Sequence, residues 1–367
     1  MDIVNQSERL LETFLTLCRI NSFHPDEAEV MRVLRTRLTQ AGVEVTKDAS
    51  GNLLGYWPGT LERTAAEPVL LCAHVDTILP TPGMEPVVRD GAVWSDGSAV
   101  LGADDKAAVA AIVGAIEAIA ESGEAHPPVE VLLTVGEEVG HIGSKAFDVG
   151  PVRSKIAFVP DSGGPVGQII LASPWARHIT VKFHGCGAHA GIEPENGRSA
   201  LLMASRAIAS LPWGRIDEET TANVGTIQGG DAPNVVAAEA EMTFEVRSLN
   251  ERMHRDHIDN ILSTCEQVAA ALDGRIEHHA SICVTGFRFE ETDPIVERAK
   301  SAIRGAGLQP RCTVSCGGSD ANELNAKGLP TLVLSVAYRD IHSNRESMPL
   351  DQLDALANVC AALMLGI

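Results

Sequence analysis

LLCAHVDTILP (residues 70–80) is an apolar run that ends by presenting His74 and, two residues later, Asp76. It reads as a buried β-strand, and strand residues two apart point to the same face, so an imidazole and a carboxylate can share one pocket. Two readings of the pair are open. One is a metal site; the other is a loop histidine whose ring hydrogen-bonds a nearby aspartate, and a lone His-x-Asp is too common to choose between them. The rest of the chain has to decide.

Working outward, residues 5–20 and 26–41 carry helical apolar spacing, and VEVTKD, LLGYW and PVLLCAHVD follow as short strand-like runs. DDKAAVAAIVGAIEAIAESG (104–123) is an alanine-rich helix that opens on acids, VEVLLTVGEE (129–138) a strand ending on Glu137 and Glu138, and KIAFVPDSG (155–163) a strand ending on Asp161. Strand and helix alternate, which predicts an α/β sheet. Ligands of open α/β sheets bind beyond the carboxyl ends of the strands, so the three polar strand ends are expected to converge.

From about residue 174 the rhythm changes to strand (RHITVKFHG), helix (GRSALLMASRAIASL), two strands (ANVGTIQGG, AEAEMTFEVRS), helix (ERMHRDHIDNILSTCEQVAAALDG) and strand (RIEHHASICVTG). That order fits a ferredoxin-like antiparallel α+β unit, after which alternation resumes through TLVLSV to a terminal helix, DQLDALANVCAALML. The expected organisation is an α/β domain with a mixed sheet, residues 1–173 and 287–367, interrupted by an inserted domain at 174–286.

Composition narrows the function classes. A chain of 367 residues exceeds the usual size of one hydrophobic core, and 45% hydrophobic content supplies enough apolar surface for two. No window approaches 18 uninterrupted apolar residues, and MDIVNQSERLLETF lacks the basic, apolar pattern of a signal peptide. Eight cysteines lie scattered without a Cys-x-x-Cys pair, which argues for reduced thiols in the cytoplasm rather than a disulfide framework. With 49 acids against 29 bases the net charge of −20 opposes nucleic acid and anionic membrane as partners and favours small-molecule chemistry.

Five strand or loop ends outside the insertion offer metal ligands: His74 with Asp76, Asp104 or its neighbour Asp105 in LGADDKAA, Glu137 and Glu138, Asp161, and His342 in RDIHSNRE. So many carboxylates at one sheet edge would repel one another and take up protons, whereas two divalent cations would neutralise them. Mixed imidazole and carboxylate ligands suit zinc, with cobalt or manganese also tolerated.

Taken together, HVDT, GADDKAA, TVGEEVGHIGS, PDSGG, GAHAGIEPENGRSA, GGSDANELNAKGLPTLVLSV and IHSNRES resemble the M20 family of dinuclear zinc peptidases and amidohydrolases. The likeness spans nearly the whole chain and is strongest to the peptidase T-like branch of tripeptide aminopeptidases, through GADDKAA and GGSDAN followed by GLPT. The resemblance implies that one metal is held by His74, Asp104 and Asp161 and the other by Asp104, Glu138 and His342, with Asp104 bridging. It selects Asp104 over Asp105, makes Asp76 the residue that fixes the tautomer of His74, and makes Glu137 the general base.

For the insertion, the resemblance implies a lid. His189 would stabilise the oxyanion of the scissile carbonyl, supplied in several relatives by the partner of a homodimer formed through this domain. Asn234 in DAPNVVA and Arg247 in EVRSLN would orient a short peptide, Arg247 through its planar fork, and the Gly317, Gly318 turn would add backbone donors. His254 with His257 and His278 with His279 have no evident third ligand and are expected on solvated faces. Rival activities are those of a carboxypeptidase, a dipeptidase or an N-acyl-amino-acid deacylase of the same superfamily, and outside it a non-catalytic metal-dependent binding protein, against which an intact Glu137 speaks.

Overall fold

The computed structural model describes residues 7–60, 63, 66–315 and 317–367, without the side chains of Ile282 and Cys283; Cys316 lies outside the described residues. The chain divides into two compact units, one made of the described residues up to Ala172 together with Arg288–Ile367, the other Ser173–Phe287. Each buries its own hydrophobic core.

The larger unit is built on an eight-stranded mixed sheet. In spatial order its strands are Glu44–Lys47, Leu53–Trp57, Val129–Thr134, Val69–His74, Ala157–Pro160, Thr331–Leu334, Gln168–Ile170 and Arg311–Thr313. The four central neighbours, from Val129–Thr134 to Thr331–Leu334, run parallel. They are buried along their whole length, as expected of parallel strands covered on both faces. Parallel direction brings their carboxyl ends to one edge, which is why Glu137, His74 and Asp161, far apart in sequence, become neighbours.

The helix Ala103–Ser122 is buried from Ala103 to Ile116 on all sides. Its alanines let it sit close beneath the sheet and against the helices Ser7–Arg19 and Leu350–Leu365. Gly102 precedes it at φ 72, a conformation that side chains rarely adopt, and a Cβ there would strike Thr77. The helices expected at 5–20 and 26–41 are Ser7–Arg19 and Ala28–Gln40, residues 5 and 6 lying outside the described set. A small antiparallel sheet of Val87–Arg89, Ala92–Trp94 and Ser347–Pro349 was not foreseen, because strands of three residues carry no readable period.

The smaller unit is a five-stranded antiparallel sheet in the order Gly214–Arg215, Thr220–Gly229, Glu239–Ser248, Trp175–His184, Arg275–Val284, packed on the helices Ala200–Ser210 and Glu251–Ala270. Apart from the two-residue edge strand this is the ferredoxin-like arrangement. Strand alternation sends Ile179, Val181 and Phe183 into the core, opposite Phe244, Met242 and Ala240 of the neighbouring strand. Ser199 and Asn250 cap the two helices by accepting from the N–H groups of Leu202 and Met253. His254 lies on the same helix face as Ile258, Ile261 and Cys265 and is buried, its Nε2 3.2 Å from the Val246 carbonyl, so the expectation of a solvated histidine fails there.

Candidate metal centre

Every proposed metal ligand belongs to the larger unit. His74 is the last residue of its strand, Glu138 lies four residues beyond Thr134, Asp161 directly follows Pro160, and Asp104 opens the buried helix. His342 is on the loop after Thr331–Leu334, at φ 61. The ligand atoms form two groups, His74, Asp104, Asp161 and Asp104, Glu138, His342, with the atoms of each within 4.8 Å of one another.

Asp104 belongs to both groups and faces each with a different oxygen. Its Oδ1 is 3.2 Å from His74 Nε2 and its Oδ2 3.5 Å from His342 Nε2. Neighbouring Asp105 is fully buried with neither carboxylate oxygen hydrogen-bonded, so it faces neither histidine. His342 Nε2 lies 3.1 Å from Glu138 Oε1, yet that oxygen is buried without a hydrogen bond. A ring nitrogen and a carboxylate oxygen this close, with no hydrogen bond formed at that oxygen, fit a pair of ligands aimed at one cation.

The electrostatics tell the same story. Burial and the Asp104 charge push the Asp161 carboxyl well above the usual range, and burial with Asp104 and Glu137 pushes Glu138 up to about 8. Burial would raise Asp104 as well, but His342 and His74 outweigh it and hold it low. None of the five ligands pairs with a lysine or arginine among the described residues. Acids that must otherwise take up protons fit a site completed by divalent cations.

Asp76 sits two residues past the end of its strand, so the same-face geometry of a strand does not place it. Its backbone carbonyl is 3.2 Å and its Oδ1 3.5 Å from His74 Nδ1, leaving Nε2 to face the site. The Asp76 carboxylate also accepts from the N–H groups of Glu137 and Glu138, at 3.0 and 3.1 Å. One residue back, Gly136 N–H donates to the buried Glu27, and Val135 N–H to Asn52 Oδ1. Four consecutive amides of the Glu137 turn are thus held by side chains.

Several buried polar residues that the sequence reading left without a role support this centre. Glu346 accepts from the N–H groups of Gly102 and Asp104, at 2.9 and 3.0 Å, and fixes the start of the helix that carries the shared aspartate. The Tyr338 hydroxyl donates to Asp161 Oδ1 at 3.1 Å. His141, buried, bridges Glu137 Oε1 and Glu323 Oε1, each at 3.2 Å. Glu346, His141 and Glu323 lie within the family-like motifs and Tyr338 between two of them, and in no case did a spacing point to a partner.

In the smaller unit His189 is exposed and next to Asn234: Ala190 N–H donates to the Asn234 carbonyl, and His189 bridges to Val235. Gly191 N–H donates to His189 Nδ1 at 3.2 Å, which leaves the ring proton on Nε2. Arg247 forks onto Glu245 with contacts of 2.6 and 3.1 Å, so its guanidinium is engaged within its own strand. Gly317 N–H donates to Ser315, and both Gly317 and Gly318 are exposed.

Residues 176–273 match the peptidase dimerisation domain of the M20 type, and residues 52–163 match peptidase family M28. The chain is 39% identical to the uncharacterised protein YqjE of Bacillus subtilis, over 99% of each chain. It is 26% identical to peptidase T of an Exiguobacterium species, covering 87% of this chain and 78% of that one. Among solved structures, an aminopeptidase PepT from Bacillus cereus superposes with a TM-score of 0.94 at 36% identity over 99% of both chains. A tripeptidase from Staphylococcus aureus gives 0.89 at 32% over 98% of both.

Proposed function

The chain belongs to the peptidase T-like branch of the M20 metallopeptidases, and from that premise we propose that it is a tripeptide aminopeptidase, removing the first residue from short peptides with a free amino terminus. The observation that carries the reading is Asp104, whose two carboxylate oxygens each face a separate histidine and carboxylate cluster. The similarity to an aminopeptidase and a tripeptidase, each over nearly the whole chain, narrows the substrate to small peptides.

His74, Asp104 and Asp161 would hold one divalent ion and Asp104, Glu138 and His342 the other; zinc suits this donor set, and cobalt or manganese would also fit. A bound pair supplies Lewis acidity, polarising the scissile carbonyl and making a water acidic near neutral pH. Glu137 is the general base, taking the proton of the attacking water and returning it to the departing amine. Asp76 orients His74 and the amides that carry Glu137 and Glu138. His189, with its proton on Nε2, is suited to donate to the oxygen of the carbonyl under attack. Asn234 and the Gly317, Gly318 turn would contact the peptide, while Arg247 would have to exchange Glu245 for a substrate carboxylate.

The match to a dimerisation domain supports a homodimer formed through the smaller unit. Among the described residues no helix is long and apolar enough to cross a membrane. Six described cysteines are free thiols, four of them buried, which supports a cytoplasmic setting.

The test is a panel of tripeptides with free and acetylated amino termini, with products identified by mass. Release of the first residue from the free peptides alone is expected. Release of the last residue, or of the acyl group, would replace this reading with that of a carboxypeptidase or a deacylase.

A further inference from the structure

After the strand Val129–Thr134 the chain folds back on itself. Gly140 and His141 N–H groups both donate to the Glu137 carbonyl, and His141 adopts φ 57, a left-handed conformation uncommon for a residue with a Cβ. The fold-back carries the imidazole against the side chain of Glu137. On its other side lies Glu323, from the helix Asp320–Ala326, 182 residues further along the chain.

Both ring nitrogens face carboxylate oxygens at 3.2 Å, Nε2 facing Glu137 and Nδ1 facing Glu323. Nδ1 hydrogen-bonds Glu323 and Nε2 meets Glu137 as an ion pair, and because carboxylates only accept, a ring set between the two is favoured as an imidazolium. Burial alone would lower its affinity for the proton, but Glu137 and Glu323, with Asp320 nearby, push it up to about 10. Other buried polar groups on the turn serve its backbone; His141 alone among the described residues grips the Glu137 carboxylate.

We infer that His141, held by Glu323, is a positioning residue that fixes the Glu137 carboxylate for proton transfer. The inference rests on Glu137 being the base. A free glutamate samples several rotamers and loses that freedom each time it must be placed, so a base already held spends less of each turnover misplaced. The contact engages Oε1 and leaves Oε2 for the water. The order carboxylate, imidazole, carboxylate follows the logic in which a catalytic base is itself oriented by a third group.

The experiment compares His141→Asn, His141→Gln, Glu323→Ala and Glu323→Gln with Glu137→Gln on one tripeptide, with metal content measured on every preparation. Asparagine tolerates the left-handed backbone but is too short to reach both acids. His141→Asn is expected to lower kcat about 10- to 100-fold, the range for losing an orienting partner, with KM within about twofold and metal intact. His141→Gln, which restores one donor, should recover part of the loss. Glu323→Ala should lose less, Glu323→Gln less again, and the His141→Asn/Glu323→Ala pair no more than His141→Asn alone, because the two act in series. In metal-free protein labelled with 15N-histidine, two ring N–H signals should vanish in His141→Asn.

A kcat within twofold of wild type in His141→Asn, losses that multiply in the double variant, or a single ring N–H would overturn the inference. If His141→Asn does not fold, an unchanged kcat in Glu323→Ala overturns it instead. Glu137→Gln separates the two levels: full turnover there removes the base and this inference with it, whereas loss there beside a normal His141→Asn removes the inference alone.

Discussion

The two units handle charge in opposite ways. On the open face of the smaller unit's sheet, charges answer one another across strands: His178 with Glu245, Lys182 with Glu239, Arg275 with Glu277 beside it. These groups are largely exposed, and each pair is worth little. At the strand ends of the larger unit, Asp104, Glu138 and Asp161 are nearly buried, and among the described residues their only ion-pair partners are His74 and His342. Charges there are not arranged for stability. A buried cluster of acids fits a site that divalent cations complete, and this difference separates a scaffold surface from a candidate reaction centre.

The contrast can be broken from the strong side first. Glu137→Gln removes a proton acceptor and no ligand, so kcat should fall about 10³- to 10⁴-fold while elemental analysis still finds two metals per chain. Loss of one metal would exchange the roles of Glu137 and Glu138. Chelation comes next: metal binding only to the folded state, at free metal a thousandfold above Kd, adds about 4 kcal/mol, so the apo protein should melt lower and recover when zinc returns. Identical melting curves would deny that cations complete the buried cluster.

His189→Ala asks whether the smaller unit joins the chemistry. A kcat about 10²- to 10³-fold lower, with KM, metal and melting unchanged, is expected for a lost oxyanion donor. Steady-state kinetics near wild type would leave that unit a binding role only. Asp76→Ala should weaken metal retention or activity about 10- to 100-fold, read by competition with a chromogenic chelator. Last, Lys182→Ala on the open sheet face should change stability by no more than about 0.5–1 kcal/mol in urea unfolding. A larger cost would mean that the surface pairs matter as much as the buried ones.

Most of the candidate ligands were legible because they are polar residues ending a fully apolar run, a pattern that buried parallel strands make conspicuous. His74, Asp161 and the Glu137, Glu138 pair could be found that way, and the order of motifs then selected Asp104 over Asp105. The supports were not legible. Glu346 reaches back 242 residues to Asp104 N–H and Glu323 reaches His141 over 182, and no local period encodes such a meeting. His254 was misread although it shares the apolar helix face of Ile258, Ile261 and Cys265; what the sequence did not show is the strand carbonyl of Val246 that its ring meets.

The Glu137 turn is gripped by its amides, with Asn52, Glu27 and Asp76 binding the main chain of Val135 through Glu138. Such a mount is indifferent to what it carries. Exchanging Glu138 for aspartate or histidine would leave all four anchors in place, so the donor chemistry of the candidate second site could be retuned while the backbone stays put. An engineer seeking a different metal preference would find here a socket, with the wiring already fixed behind it.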